Sequence, residues 1–497
     1  MLNTALIYKI LGSLLFLLGT LQAICAGIAL GYREDDVMSF LISTIFTCCC
    51  ALMLKYLGRN ADNNLSRRDS YLLVTLTWSV FSLLGMMPYL IGGYITNITD
   101  AYFETMSGFS TTGATLIADV ERLPHGILFW RSQTQWIGAL GIVFFTIAIL
   151  PSMVGSGSVK VFAAEATGPM REKMHPRLST TAKWIWSVYI ALTIACMLCY
   201  YAAGMDWFDS INYSMSTTAT GGFCTHNDTT AYFDSPAIDY VSIVFQFLAG
   251  INFTLLYFVL FKGRWRMLLK SSEFKLYISM VVGATIWIGY LLMTRNGYGL
   301  EHAFRSAIFH VVSFTTTTGL FNDDAARWPH ITWVILGCLM FLGACSGSTT
   351  GGFKCVRGVM ILKVLRNEFR KILHPNAVLP VKIDGQPVPQ QKLTILLAFF
   401  AINVAVILLA TSVMLVADID ITKSIVIALS CISNVGPDLS IEIGPSMLWG
   451  ELPTYIKWTC SFLMLVGRLE IMSVLVLFTR AFGRTTDRYR STSCWIC

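Results

Sequence analysis

Charged residues are scarce in this chain. Only 13% of its 497 residues are Asp, Glu, Lys or Arg, whereas 55% are hydrophobic and the mean hydropathy is +0.62. So little charge cannot cover the surface of an ordinary soluble enzyme of one or several domains. The composition therefore predicts an integral membrane protein.

Motifs of catalysis and metal binding are also missing from the sequence. It contains no HExxH, no P-loop and no nucleophile elbow. Most of the 14 cysteines lie in apolar stretches, and the Cys196/Cys199 and Cys494/Cys497 pairs have no second ligand pair at zinc spacing. We therefore expect neither an enzyme nor a protein with a resident cofactor.

The apolar stretches are long enough to cross the roughly 30 Å hydrocarbon core of a bilayer as helices of about 20 residues. This pattern disfavours a strand-built barrel. The first stretch has Lys9 near its start but no clear small-residue cleavage site, so we interpret it as a retained helix. The predicted fold is all-α and polytopic, with ten membrane-spanning segments: 7–30, 37–57, 71–93, 127–150, 183–204, 237–261, 275–294, 331–365 (interrupted), 392–416 and 455–479.

The connections between these segments differ in charge. Of the 36 Lys and Arg residues, 27 fall on one side of the predicted membrane, at Lys9 and in segments 55–68, 151–183, 262–275, 354–392 and 480–497. Only eight fall on the other side. The positive-inside rule therefore predicts that both termini are cytoplasmic. The same loops account for the net charge of +7, so no nucleic-acid partner is needed to explain it.

Four outer connections share a pattern that ends in a glycine. They read "ITDAYFETMSGFSTTGA" (Gly113), "MDWFDSINYSMSTTATGGF" (Gly222), "LEHAFRSAIFHVVSFTTTTGL" (Gly319) and "DITKSIVIALSCISNVGP" (Gly436). In every copy a serine lies six residues before the glycine: Ser107, Ser216, Ser313 and Ser430. Asp100 and Asp209 lie thirteen residues before their glycines and are predicted N-caps of short helices.

The repeated element is a span, a short helix, a glycine-containing extended segment and a second span, reused four times. Extended backbone at membrane depth is tolerated only where it is buried in protein or lines a watery cavity. Glycine permits the positive φ that turns a carbonyl toward an axis, and rings of carbonyls replace the hydration shell of a monovalent cation. Four such segments predict a cation pore, although "TTG" and "TGG" as ordinary outer turns remain an alternative.

Two further features suggest a gate. The third unit's second span is interrupted by "GACSGSTTGGFKC", residues 343–355, whose four glycines favour a movable nonhelical loop over a helix kink with close packing. Arg468 lies within the last apolar span, where a cation costs about 2.5 kcal/mol or more. It is a candidate functional residue, with the balancing of a buried acid as the alternative.

The sequence resembles the Trk/Ktr superfamily of potassium transporters over essentially its whole length. The most specific matches are "MSGFSTTGATL" (106–116), "QWIGALGIVFFTIAILP" (135–151), "SGSTTGGFK" (346–354) and "VGRLEI" (466–471). The resemblance implies four membrane-pore-membrane repeats around a central K⁺ pathway, preceded by an extra helix pair. It also implies a homodimer in the bacterial cytoplasmic (inner) membrane and a cytoplasmic TrkA-type ring of nucleotide-binding regulatory domains.

Carried over residue by residue, the resemblance implies a K⁺ filter made by backbone carbonyls. Its members would be Thr111, Thr112, Gly113 and Ala114; Thr220, Gly221, Gly222 and Phe223; Thr317, Thr318, Gly319 and Leu320; and Asn434, Val435, Gly436 and Pro437. The implied gating residues are Gly347, Ser348, Thr349, Thr350, Gly351, Gly352 and Arg468. These strands depart from the TVGYG of potassium channels, so we expect weak discrimination against Rb⁺ and some Na⁺ passage.

The expected organisation is an N-terminal helix pair and four pore repeats, with boundaries 1–70, 71–160, 161–270, 271–375 and 376–497. The alternative to a passive pore is a symporter in which H⁺ or Na⁺ entry drives K⁺ uptake. That function would need a titratable group on the path. Glu104 and His310, both nine residues before their glycines, are the candidates.

Overall fold

The computed structural model describes residues 2–62, 65–141, 178–377, 379–436 and 449–483. The chain is mostly helical. The helices are α1 (Thr4–Tyr32), α2 (Val37–Leu57), α3 (Arg67–Gly85), α4 (Met87–Ile91), α5 (Ile98–Phe109), α6 (His125–Ala139), α7 (Leu178–Ala202), α8 (Trp207–Ala219), α9 (Pro236–Ala249), α10 (Phe253–Lys262), α11 (Trp265–Lys270), α12 (Ser272–Arg295), α13 (Leu300–Thr315), α14 (His330–Leu342), α15 (Cys355–Leu373), α16 (Gln390–Leu415), α17 (Ile421–Ser433), α18 (Thr454–Arg468), α19 (Ile471–Leu475) and α20 (Arg480–Gly483).

A small antiparallel hairpin, which the sequence did not predict, connects α15 to α16. It pairs β1 (Lys382–Ile383) with β2 (Gln386–Pro387). Short 3₁₀ turns lie in other connections, at Val120–Arg122, Thr229–Phe233, Ala325–Arg327, Trp449–Glu451 and Val476–Phe478.

Within the described part of the chain, six helices are long and apolar enough to cross a membrane, and two bent helix pairs raise that number to eight. The six are Thr4–Tyr32, Val37–Leu57, Arg68–Ile91, Ala182–Ala202, Ser272–Arg295 and Gln390–Leu415. The second half of the predicted span 127–150 and the end of the tail lie outside the described residues.

We group the helices after α2 into four units. In each unit a first helix, a short buried helix, an extended segment with a glycine and a second helical segment follow one another. Unit 1 comprises α3 to α6, unit 2 comprises α7 to α10, unit 3 comprises α12 to α15 and unit 4 comprises α16 to α19. The α1–α2 pair packs against unit 1, where the Phe40 ring meets the Trp130 ring edge-on at 6.3 Å.

Two predicted spans are not continuous helices. Instead of one helix over 237–261, α9 ends at Ala249 and α10 leaves it at 105°, and instead of one helix over 455–479, α18 and the following helical segment meet at 111°. In unit 2 the Asn252 side chain accepts the backbone N–H groups of Thr254 and Leu255, so it starts a new helix where a straight one would continue. In unit 4 the break falls at Glu470, which has φ 62°.

The predicted N-caps were wrong. Asn97 and Asp206 cap α5 and α8 by accepting the backbone N–H groups of Thr99 and Asp209, respectively. Both helices therefore begin three residues earlier than predicted. Asp100 therefore does not cap α5 and instead forms an ion pair with Lys457 of unit 4, at 2.7 Å.

Candidate ion pathway

Each short helix ends in a residue with left-handed backbone conformation, two residues before the glycine. Its φ is between 54° and 57° in all four units, at Thr111, Thr220, Thr317 and Asn434. Positive φ is uncommon outside glycine and is an outlier for a β-branched residue such as threonine. Three threonines in this conformation at one aligned position indicate backbone strain that the surrounding fold maintains.

The same helix ends are closed by one hydrogen bond that recurs in every unit. The backbone N–H of the residue after the left-handed one donates to the carbonyl five residues earlier, as in a Schellman motif. The acceptors are the four aligned serines, and the N···O distances are 2.9 Å at Ser107, 3.0 Å at Ser216, 2.8 Å at Ser313 and 3.1 Å at Ser430.

The predicted glycines also have positive φ, between 80° and 86°: Gly113, Gly222, Gly319 and Gly436. Within each segment a left-handed residue, a residue of ordinary φ and a left-handed glycine follow one another. This alternation turns successive N–H groups to one side of the backbone, and hence carbonyls to the other. We call residues 111–114, 220–223, 317–320 and 434–436 the glycine segments. Pro437 lies outside the described residues.

The glycine segments contact one another in a ring. A Cβ atom on Gly113 would clash with the carbonyl oxygen of Gly221, and a Cβ on Gly222 would clash with that of Thr318. A Cβ on Gly436 would likewise clash with the Thr112 carbonyl, which joins unit 4 back to unit 1. In each case the carbonyl belongs to the residue just before the neighbouring unit's glycine. These three contacts place the glycine segments next to one another in the order of units 4, 1, 2 and 3.

The glycine-rich loop of unit 3 lies directly against this ring. It is nonhelical from residue 343 to residue 354, and most of it is buried. The Gly351 N–H donates to the Thr317 hydroxyl at 2.8 Å, and the Thr349 hydroxyl donates to the Thr218 carbonyl at 3.1 Å. A Cβ on Gly351 would clash with the Ser433 carbonyl, so this position requires glycine.

Arg468 joins the loop to the first glycine segment. Its Nη1 donates to the Thr349 carbonyl at 2.9 Å and to the Thr111 hydroxyl at 3.1 Å. Its Nη2 donates to the Gly138 carbonyl at 2.8 Å and also to the Ala139 carbonyl, at the end of α6. One buried guanidinium therefore connects units 1, 3 and 4.

Both ends of the loop are anchored by a residue that sequence reasoning missed. The Glu273 carboxylate, in the first turn of α12, accepts the Ser346 N–H and, at 3.2 Å, the Val356 N–H. The preceding Ser272 N–H donates to Asp384 in the hairpin at 2.7 Å. Ser272 and Glu273 therefore connect the hairpin to the glycine-rich loop.

A second ion pair lies beside the loop. Arg357, two residues after its end, pairs with Glu470 of unit 4 at 2.6 Å and stacks over the Phe399 ring at 4.0 Å. Glu470 thereby joins unit 4 to α15 of unit 3.

Comparisons with known proteins agree with this architecture. A sequence model of the TrkH family, described as cation transport protein, matches residues 36–483. The chain is 35% identical over 486 residues to the Trk system potassium uptake protein TrkH of Escherichia coli K12, covering 96% of this chain and 99% of that protein. It is 32% identical over 461 residues to TrkG of the same organism, covering 92% and 94%.

A solved structure is also similar. The crystal structure of the potassium transporter TrkH from Vibrio parahaemolyticus matches with a TM-score of 0.87 at 33% identity, covering 97% of this chain and 99% of that one. The chain belongs to the TrkH family. The resemblance to potassium transporters is thereby confirmed at the level of family and fold.

In this TrkH-family chain the two candidate titratable groups are both buried. Glu104 pairs with Arg131 at 3.2 Å and accepts the Thr115 hydroxyl and the Leu116 N–H, each at 2.8 Å. His310 bonds through Nδ1 to the Ser306 carbonyl at 3.0 Å and packs against the Trp328 ring. Glu104 thus ties its helix to the chain just beyond the first glycine segment.

No cluster of three or more His, Cys, Asp or Glu side chains that could hold a metal ion occurs in the described part of the chain. The chemistry offered along the axis is that of backbone carbonyls and hydroxyl groups. These are hard, uncharged oxygen donors, which suit an alkali cation.

Proposed function

We propose that this protein takes up K⁺ across the bacterial cytoplasmic membrane through a filter made of its four glycine segments. The observation that carries the proposal is the fourfold recurrence of a left-handed residue followed two positions later by a left-handed glycine. Three of these glycines, Gly113, Gly222 and Gly436, lie against the next unit's carbonyl. The potassium uptake named for the TrkH and TrkG relatives supports the choice of ion.

The four walls of the proposed filter are unequal. Threonine holds the strained position in units 1 to 3 and asparagine holds it in unit 4. We therefore expect K⁺ to be preferred, with weaker exclusion of Rb⁺ and Na⁺ than four identical walls would give.

The glycine-rich loop and Arg468 form the proposed gate. The loop fills the space beneath the ring and contacts units 2, 3 and 4 directly, and it reaches unit 1 through Arg468. Its hydrogen bonds to Thr218 and Thr317 must break before an ion can pass. We infer that a cytoplasmic TrkA-type nucleotide-binding ring controls this step, because the gate is anchored to the hairpin on the cytoplasmic side.

The finer architecture belongs to the same proposal. It comprises ten spans, an N-terminal pair followed by four repeats with boundaries near 71, 161, 271 and 376, both termini in the cytoplasm, and a homodimer in which each subunit has its own pore. The four units described above support the repeats.

No observation favours the symporter alternative. Its best candidate, Glu104, is held in an ion pair with Arg131 and in two further hydrogen bonds, to Thr115 and Leu116. A carboxylate so engaged is suited to fixing a helix and poorly suited to cycling between protonation states.

The test is ion flux in proteoliposomes under an imposed membrane potential, with K⁺, Rb⁺ and Na⁺ compared. Gly222→Ser should lower the K⁺/Na⁺ permeability ratio of the folded protein, because its Cβ meets the Thr318 carbonyl. Gly385→Ser is the matched control, since Gly385 has nearly the same φ, 85° against 86°, but open space around it. Equal behaviour of the two variants would reject the filter, and flux that does not reverse at the K⁺ equilibrium potential would favour coupled transport.

A further inference from the structure

Gln135 lies one turn before the end of α6, in unit 1, and its side chain is fully buried. Its amide makes three hydrogen bonds, all to unit 2. Nε2 donates to the Gly221 carbonyl at 2.8 Å, and Oε1 accepts the Phe223 N–H at 3.1 Å and the Ser216 hydroxyl at 3.0 Å. The second span of one unit thus holds the glycine segment of the next unit.

The double glycine of unit 2 follows from this contact. A Cβ on Gly221 would clash with the Gln135 amide. Units 1, 3 and 4 have Thr112, Thr318 and Val435 at the aligned position. Only glycine leaves space for the Gln135 side chain, so the sequence "TGGF" and the glutamine of the preceding unit form a matched pair.

Units 1 and 3 use a different support at the same level. The Thr112 hydroxyl bonds to the Ser110 hydroxyl at 2.7 Å, and the Thr318 hydroxyl bonds to the Thr316 hydroxyl at 2.7 Å. The Thr112 hydroxyl also accepts a hydrogen bond from Asn434 Nδ2 of unit 4, at 3.0 Å. In units 1 and 3 the support at this level therefore comes through a side-chain hydroxyl. Gly221 of unit 2 has no side-chain hydroxyl, and its segment is instead supported by the hydrogen bond from Gln135 of unit 1.

The chain contains its own comparison residue. Gln246 lies one turn before the end of α9, the equivalent place in unit 2, and it is also fully buried. Neither its amide oxygen nor its amide nitrogen has a hydrogen-bond partner in the part of the chain that the structure describes. Two buried glutamines at equivalent positions thus differ in whether they bond to a neighbouring glycine segment.

We propose that Gln135 is a specificity-determining positioning residue, which fixes the direction and distance of the Gly221 carbonyl in the ion path. The inference rests on the proposed filter. A smaller cation such as Na⁺ binds best where the carbonyls can move inward, so a carbonyl that a hydrogen bond holds in place favours K⁺. When the hydrogen bond from Gln135 is removed, the unit 2 segment relaxes and the preference for K⁺ over Na⁺ falls.

The test compares Gln135→Met with Gln246→Met in proteoliposomes. Methionine is a suitable replacement because Met464 occupies the equivalent position in unit 4. The equivalence follows from the glycines three residues later. Gly138 and Gly467 each lie against a carbonyl near the end of the short helix of their own unit. We expect Gln135→Met to lower the K⁺/Na⁺ permeability ratio about fivefold, the effect of roughly one lost hydrogen bond. Gln246→Met should stay within about twofold of the wild type, since it loses no such bond.

An unchanged ratio in Gln135→Met, or equal losses in both methionine variants, would overturn the inference, because packing alone would then explain the result. If Gln135→Met does not fold, Gln135→Leu replaces it. That variant also lacks the donor to the Gly221 carbonyl, so a wild-type ratio would be equally decisive. Gly222→Ser, measured in the same vesicles, separates the two proposals: if only Gly222→Ser lowers the ratio, the filter stands and the role of Gln135 falls.

Discussion

Arg468 donates a hydrogen bond to the Thr349 carbonyl at 2.9 Å, so a basic residue of the last predicted span contacts the centre of the glycine-rich loop. The same guanidinium reaches Thr111, in the ring of glycine segments. The proposed filter and the proposed gate are therefore joined by one side chain.

Arg468→Gln should raise K⁺ flux. A neutral amide cannot replace all of the hydrogen bonds made by the guanidinium, and one lost charge-assisted bond weakens the closed loop by about 1.5 kcal/mol, or roughly tenfold in the open fraction. Stopped-flow flux from K⁺-loaded vesicles measures the change. Arg327→Gln, at an exposed arginine, serves as the control. A flux below that of the wild type would argue against a blocking loop.

Glu273→Gln should also raise K⁺ flux, without changing the K⁺/Na⁺ ratio. The carboxylate accepts N–H groups at both ends of the loop, and an amide oxygen is the weaker acceptor because it carries no charge. A severalfold increase is expected, by about the difference between a charged and a neutral hydrogen bond. Glu368→Gln, an exposed acid on α15, is the matched control. If both variants match the wild type, the loop ends are held by other contacts.

Glu104→Gln should destabilise the protein by about 3–5 kcal/mol, because it leaves Arg131 buried without its counter-charge. Thermal unfolding in detergent measures the loss. The double variant Glu104→Gln, Arg131→Met should recover part of it, since the uncompensated charge is then gone as well. If the double variant is as unstable as the sum of the two single variants, the ion pair is not the unit that holds this helix.

Thr220→Asn should stabilise the folded protein by about 1 kcal/mol. Asparagine tolerates the left-handed conformation that threonine adopts here under strain, and unit 4 already uses Asn434 at this position. The Thr220 hydroxyl bonds only to the carbonyl of its neighbour Ala219 in the described contacts. Thr294→Asn, at an exposed helical position, controls for the substitution itself. A lower melting temperature for Thr220→Asn would show that the hydroxyl has a further role.

Asp36→Asn should stabilise the protein above about pH 6. The Asp36 carboxyl lies between α1 and α2, and burial, with a smaller effect of the Glu34 charge, raises its pKa to about 6. Because this pKa exceeds that of the unfolded chain, ionisation opposes folding, and stability is lost as pH rises from about 4 through 6. Melting temperatures at pH 5 and pH 8 should differ less in Asp36→Asn than in the wild type. Asp35→Asn, at its exposed neighbour, should leave that difference unchanged.

The four units were predictable because each is built from local signals. Hydropathy gives the spans, and the aligned serine and glycine mark where each short helix ends. The strained threonines were not predictable in this way, since a β-branched residue argues against positive φ. The available signal was Asn434 in the aligned position, because asparagine is the residue most compatible with that conformation after glycine.

Contacts between distant parts of the chain could not be read from the sequence. Glu273 lies 73 residues before Ser346, and nothing in its neighbourhood marks it as a partner of the loop. The helix breaks in units 2 and 4 are marked in the sequence only by a glycine and a nearby polar residue, Gly250 with Asn252 and Gly467 with Glu470. A hydropathy average over a span does not reveal these breaks, because the residues around each pair are apolar.

The bends of 105° and 111° in the second spans divide those spans into two rigid pieces each. Their inner pieces, α9 and α18, carry the ring, whereas the outer pieces turn aside and cannot converge beneath it as straight helices would. Under the proposed function, turning an outer piece about its bend would change access to the ring without displacing the ring itself. The rate of K⁺ entry would then be adjusted separately from the preference among ions.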